Sequence, residues 1–158
     1  DERQPKLVRR RAFEVLVRDP QPWQQEAIRR DFASGDRDWK MTAIFSMGYV
    51  RGFDRELVEQ LRTASGDLLY EAVRAAGRAE VQEAAPIIEG LAISEEADRD
   101  VRLEAIAALP AVDPDCFDLL DELAESQDDE VRAAAEGALE ELQMIDEDLE
   151  DDDEEDDL

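Results

Sequence analysis

Hydrophobic positions along this chain recur on two scales. Within short segments they follow the stripe of an α-helix, and the segments themselves return about every 30 residues. With Ala43 in the segment WKMTAIFSMG as reference, the same frame recurs around Ala12, Ala72, Ala105 and Ala135, at spacings of 31, 29, 33 and 30 residues. Four residues before each alanine stand Val8, Trp39, Leu68, Val101 and Val131. Four after it stand Leu16, Met47, Ala76, Leu109 and Leu139. One after it stand Phe13, Ile44, Val73, Ile106 and, breaking the pattern, Glu136. Offsets of −4, 0, +1 and +4 fall on one face of a helix. The alanine lets a neighbouring helix come close while the larger flanking residues fill the contact.

Polar positions keep the same frame. Three residues before the alanine lie Arg9, Lys40, Arg102 and Arg132, with Leu69 as the exception. Seven before it lie Asp36, Asp98 and Asp128, with Pro5 and Ser65 departing. An Asp there is placed to cap the helix, accepting free N–H groups at its positive end. The Asp and the base four residues later also suggest pairing within or between repeats. Between the alanine-bearing helices, further helices are predicted at 23–32, 55–64, 81–92 and 115–125, with stripes such as Leu57/Val58/Leu61, Ile87/Ile88/Leu91 and Phe117/Leu120/Leu123. Asp19-Pro20-Gln21-Pro22, Ser34-Gly35-Asp36, Arg51-Gly52, Ser65-Gly66-Asp67 and Asp113-Pro114-Asp115 punctuate them.

Charge divides the chain. Residues 1–80 hold 15 basic and 14 acidic side chains, a net of 15 − 14 = +1, whereas residues 81–158 hold 3 and 30, a net of 3 − 30 = −27. The last thirteen residues, DEDLEDDDEEDDL, carry 11 acidic groups and two leucines, too few apolar side chains to order a segment. The expected organisation is a repeat domain over 1–145 and an acidic disordered tail over 146–158. So negative a chain repels nucleic acid and anionic membranes as a whole, leaving nucleic-acid binding through the front-half arginines as an alternative.

Asp98 to Leu109, reading D-x-x-V-R-x-x-A-x-x-A-L, resembles a HEAT repeat. Asp128 to Leu139 is a second good copy and Asp36 to Met47 a more degenerate one. More closely, the frame looks like the short HEAT-like repeats found in phycobilisome lyases and many bacterial scaffold proteins, over roughly residues 5–143. The resemblance implies an all-α fold, an α–α superhelix of four to five hairpins. It also implies that the second helix of each hairpin lines the concave side, and that the role is to bind a partner.

On such a face, offsets −2, +2 and +6 would look into the groove. In the second alanine-bearing helix these are Met41, Phe45 and Tyr49, and in the third they are Tyr70, Arg74 and Arg78. Aromatics and arginine are enriched at interface hot spots. The same offsets are bland in the fourth and fifth helices (Leu103, Ala107, Ala133, Gly137) and charged in the first (Arg10, Glu14). Met41 and Phe45 equally suit plain burial, because their helix is apolar almost all round.

Catalysis is poorly provided for. With no histidine, serine–histidine and cysteine–histidine mechanisms and His-based metal sites are excluded, including the His-Glu iron sites of HEAT-like deoxyhypusine hydroxylases. Cys116 is the one cysteine, so there is no intrachain disulfide or cysteine metal cluster, and neighbouring carboxylates should raise its pKa. No apolar run approaches a membrane span and no signal-peptide pattern opens the chain. The expectation is a cytoplasmic, non-catalytic adaptor without cofactor or metal, gripping a protein segment with apolar and acidic side chains. The lyase resemblance leaves a bilin-binding lyase or chaperone as the other alternative.

Overall fold

The computed structural model describes residues 3–155, with side chains as far as Ile145. Nine α-helices and no strand occur among the described residues: α1 (Lys6–Leu16), α2 (Gln24–Ala33), α3 (Arg37–Met47), α4 (Asp54–Thr63), α5 (Asp67–Arg78), α6 (Ala85–Ile93), α7 (Arg99–Val112), α8 (Phe117–Ala124) and α9 (Asp129–Glu155). The odd-numbered helices carry the alanines. Each from α3 onward packs on the even-numbered helix before it, and they also stack in order as α1, α3, α5, α7 and α9. The result is four hairpins preceded by a solitary α1. The acidic segment expected to be disordered, 146–158, falls where side chains, and for 156–158 also the backbone, lie outside the described residues.

The alanine frame is the core. Ala43, Ala72, Ala105 and Ala135 are completely buried, as are Ile44, Val73 and Ile106 one position on. Small residues set the closeness of the stack. A Cβ on Gly48 would meet the Ala75 Cα at 3.0 Å, and one on Gly77 would meet the Ala108 Cβ at 3.1 Å. In both contacts the residue five after one alanine faces the residue three after the next. Α3, α5 and α7 therefore pack nearly backbone to backbone at one end of the row.

Turn chemistry follows the sequence. Asp36 accepts from the backbone N–H of Asp38 and Trp39 at 2.9 and 3.2 Å. Asp98 and Asp128 cap α7 and α9 in the same way. Α5 starts from Gly66 and α1 from Pro5, neither with a side-chain cap. Gly35 and Gly52 turn the chain at φ of +74° and +96°, where a Cβ would be strained. The helix predicted over 81–92 instead opens with a 3₁₀ turn at Gln82–Ala84, and α6 begins beside Pro86, whose missing N–H costs nothing in a first turn.

The pairing expected between each capping Asp and the base four residues later is not what forms. Instead, the base six before one alanine reaches the start of the next repeat's helix. Lys6 meets Asp36 at 2.6 Å, Arg37 meets Asp67 at 3.5 Å, and Arg99 meets Asp128 at 2.8 Å. The bases three before the alanine tie down the hairpin partner: Arg102 Nε donates to the Ala92 carbonyl at 3.0 Å, and Arg132 donates to the Ser126 carbonyl at 3.0 Å. A capping carboxylate is already turned toward its own helix N-terminus, away from the base one turn on.

Candidate functional site

Offsets −2, +2 and +6 come to one face of the odd-numbered row, and all six residues singled out there are partly buried. Phe45, in the last turn of α3, and Tyr49, in the turn just beyond its end, have ring centroids 5.2 Å apart. From α5 the Arg78 guanidinium lies over both rings, 5.3 Å from Phe45 and 4.4 Å from Tyr49. Arg18, beyond the end of α1, approaches Tyr49 from the other side at 5.9 Å. Three repeats thus build one cation–aromatic cluster. Gly48 makes room for it, since a Cβ there would meet Arg78 Nη1 at 3.0 Å.

Tyr70 and Arg74 form a second group. The Arg74 guanidinium is 5.8 Å from the Tyr70 ring and lies 3.9 and 3.6 Å from the carboxylates of Glu71 and Glu104. Its charge is therefore largely answered within the protein. Arg78 also acts on Glu71, while its Nη1 is buried without a hydrogen-bond partner. Phe45, Tyr49 and Tyr70 pack against the core with their inner edges, so core and face readings describe two sides of the same rings. Met41 is half-buried at the row's other end.

Behind the row lies a polar layer that the pattern reading passed over. Thr42 donates to Glu14 Oε1 at 2.9 Å and accepts from Arg10 Nε at 2.9 Å, while Arg11 donates to Glu14 Oε2 at 2.7 Å. Glu14 and Thr42 are buried, and so is Glu71 on α5. Burial raises the Glu71 pKa against the pull of Arg74 and Arg78, and its Oε1 has no partner. The available signal was a polar residue directly before the frame alanine in four repeats: Arg11, Thr42, Glu71 and Glu104.

Beside Tyr70 a cleft of about 720 Å³ opens between the first turns of α5 and α7, lined by Asp67, Tyr70, Asp98, Asp100, Leu103 and Glu104 among others. It marks a break in the inter-repeat ion-pair ladder. The base due six before Ala72 is Gly66, so Asp98 receives no cation from the preceding repeat. The Tyr70 hydroxyl is raised in pKa first by burial and then by its hydrogen bond to Glu104.

Elsewhere, Cys116 is 2% exposed and its thiol is pushed up to about 11, first by burial and then by Asp113. That opposes thiolate chemistry, with burial rather than the expected carboxylates as the main cause. Several front-half arginines are held by protein groups: Arg10 by Thr42, Arg11 by Glu14, Arg30 by Asp31, Arg37 by Asp67 and Arg51 by the Ala79 carbonyl. Among the described residues no helix is long and apolar enough to cross a membrane.

Stacked helical hairpins, each burying its stripe only against its neighbours, define an α–α solenoid. The HEAT-repeat family model matches residues 55–147, more than half of the chain, and the protein belongs to that family. The match begins in α4, so the hairpin carrying Phe45 and Tyr49 lies in the more degenerate copy ahead of it. HEAT repeats in general serve as protein-interaction scaffolds. No curated protein and no solved structure matches the chain.

Proposed function

We propose that the protein is a non-catalytic cytoplasmic adaptor that holds a segment of a partner protein against α3 and α5. The observation that carries this is Arg78, half-buried, whose guanidinium reaches from α5 over the Phe45 and Tyr49 rings of the preceding repeat. Such a guanidinium offers a carboxylate or carbonyl a charge-assisted bond in a site already ordered by aromatic packing. The ligand is a protein segment that lays apolar side chains on Phe45 and Tyr49 and an acidic group at Arg78. Toward Tyr70 the preference reverses, because the cleft there is walled by carboxylates and Arg74 is already paired, so a basic side chain suits that end. Met41 extends the apolar side of the row.

Partner capture by the immobilised chain, repeated with Tyr70→Ala and Arg78→Ala variants of unchanged helical circular dichroism, tests this reading. Loss of the captured protein from both variants is the expected result, and capture equal to that of the parent chain would overturn it. Two side measurements address the other classes of ligand. An absorbance change on adding a free bilin, or tight and salt-sensitive retention of DNA on a filter, would replace the adaptor reading with the corresponding one.

A further inference from the structure

Two carboxylates recur together in the frame, seven and five residues before the alanine: Asp36 with Asp38, Asp98 with Asp100, and Asp128 with Glu130. In the first and third pairs a single base from the preceding repeat bridges both. Lys6 Nζ lies 2.6 Å from Asp36 and 2.8 Å from Asp38. Arg99 meets Asp128 through Nη1 and Nη2, both at 2.8 Å, and Glu130 through Nε. The pair is therefore a receptor for one base, used twice within the chain. Capping does not compete with this, because Asp36 and Asp128 cap their helices and take the base as well.

The second pair, at the start of α7, has no base of its own. The residue due to supply one is Gly66, whose φ of +56° suits glycine and strains any basic side chain. The step lies between two described repeats in the middle of the stack. The nearest bases are already committed: Arg37 to Asp67, Arg74 to Glu71 and Glu104, and Arg99 to Asp128 and Glu130. Asp98 is exposed, whereas Asp36 and Asp128 are half-buried beneath their bases. Here, too, lies the cleft of about 720 Å³, with the half-buried side chains of Tyr70 and Leu103 beside the two carboxylates. A guanidinium needs only two carboxylates, while a metal site takes more oxygen ligands, and no group of three or more acidic side chains among the described residues could hold an ion.

We propose that Asp98 and Asp100 take one arginine side chain of a partner protein, which completes in trans the step that Gly66 leaves out. Its guanidinium bridges the two carboxylates as Arg99 bridges Asp128 and Glu130, and its aliphatic stem lies along Tyr70 and Leu103. The inference rests on the adaptor reading for the source of that arginine, a segment running along the same face, but not for the site itself, which the chain's own repeats define.

The probe is the peptide acetyl-Gly-Arg-Gly-amide, titrated into the nitrogen-15-labelled full chain at fixed low ionic strength, with citrulline in place of arginine as its neutral isostere. Saturable shifts of the Gly66, Asp98 and Asp100 amide signals are expected with the arginine peptide and not with the citrulline one. Asp98→Asn combined with Asp100→Asn keeps the helix cap, since asparagine caps as well as aspartate, and should weaken binding about tenfold. Asp100→Asn alone leaves the cap untouched and should weaken it about threefold, which keeps the test decisive if the double variant unfolds. Glu95→Gln combined with Glu96→Gln removes the same charge from the exposed turn ahead of α7 and should leave binding unchanged. Equal weakening in that control would reduce the effect to the chain's overall negative charge and overturn the proposal. So would shifts that bypass these three amides, or equal binding of the citrulline peptide. The titration does not involve Phe45, Tyr49 or Arg78. Its failure while partner capture still depends on those residues would remove this site and leave the adaptor reading; its success while capture ignores them would do the reverse.

Discussion

At the scale of single residues, the molecule's most informative positions are small or buried and polar rather than large and apolar. Gly48 is helical in φ, so only space forbids a side chain there. Gly48→Ala should cost about 1–3 kcal/mol by overpacking against the α5 backbone, despite alanine's better helix propensity. A lower denaturant midpoint at unchanged m value would show it. Thr42→Val removes both hydrogen bonds of a buried hydroxyl and strips Glu14 of one donor. A loss of about 1–3 kcal/mol in urea unfolding is expected.

Glu71 makes a prediction with a sign. Its folded pKa is raised, so the native state holds a proton that the unfolded chain releases. The stability tied to that proton is full below the unfolded pKa of about 4.3 and is lost as pH rises through the folded value. Glu71→Gln should therefore gain stability on the parent chain between pH 4 and pH 7. An equal difference at both pH values would show that Glu71 titrates normally. None of these three residues stands out in the hydrophobic pattern. A buried hydroxyl or carboxyl looks like a surface residue until its partners, here from α1 and α5, are placed around it.

At the scale of elements, the frame was legible because each feature has a local cause. Alanine spacing, capping Asp and Gly or Pro turns act within one hairpin, and they located the even-numbered helices to within a few residues, whereas α9 runs on to Glu155. The start of α6 moved because Pro86 sets where a first turn can begin. Pairing between elements was less legible, because it depends on how repeats are offset. The sequence shows Lys6, Arg37 and Arg99 in register, but only the stack shows each reaching forward to the next repeat.

Two tests belong here. Asp98→Ala removes a cap that carries no inter-repeat pair and should cost about 1 kcal/mol, with little dependence on salt. Asp128 is held well below the usual carboxylate range, first by its hydrogen bonds with Arg99 and then by backbone N–H groups. Its contribution is present above the unfolded pKa of about 3.9 and lost as pH falls through the folded value. Asp128→Asn should flatten the acid limb of a stability–pH profile, and an unchanged limb would place the acid sensitivity elsewhere.

At the scale of the whole molecule, the stack has a polarity. Its front is near neutral, with arginines engaged mostly inside the protein, while its back is strongly acidic. The aromatic–arginine row sits between these ends, where α3 and α5 approach most closely. The HEAT-like resemblance and helical spacing together single out Phe45, Tyr49, Tyr70, Arg74 and Arg78. They could not show that Arg78 crosses to the rings of α3 while Arg74 turns to Glu71 and Glu104, because that split depends on the small residues that bring the two helices together. They also could not show the cleft beside Tyr70, which exists because Gly66 leaves out one base of an otherwise repeating ladder.

The adaptor reading rests on this row, and the most direct measurement is the dissociation constant of a captured partner for matched surface variants. Phe45→Ala combined with Tyr70→Ala should weaken binding at least about tenfold, the scale of two interface anchors. Glu59→Ala combined with Arg62→Ala, on the exposed side of α4, should leave it unchanged. Unchanged affinity in the first pair, or an equal loss in the second, would contradict the assignment of partner binding to the α3–α5 face.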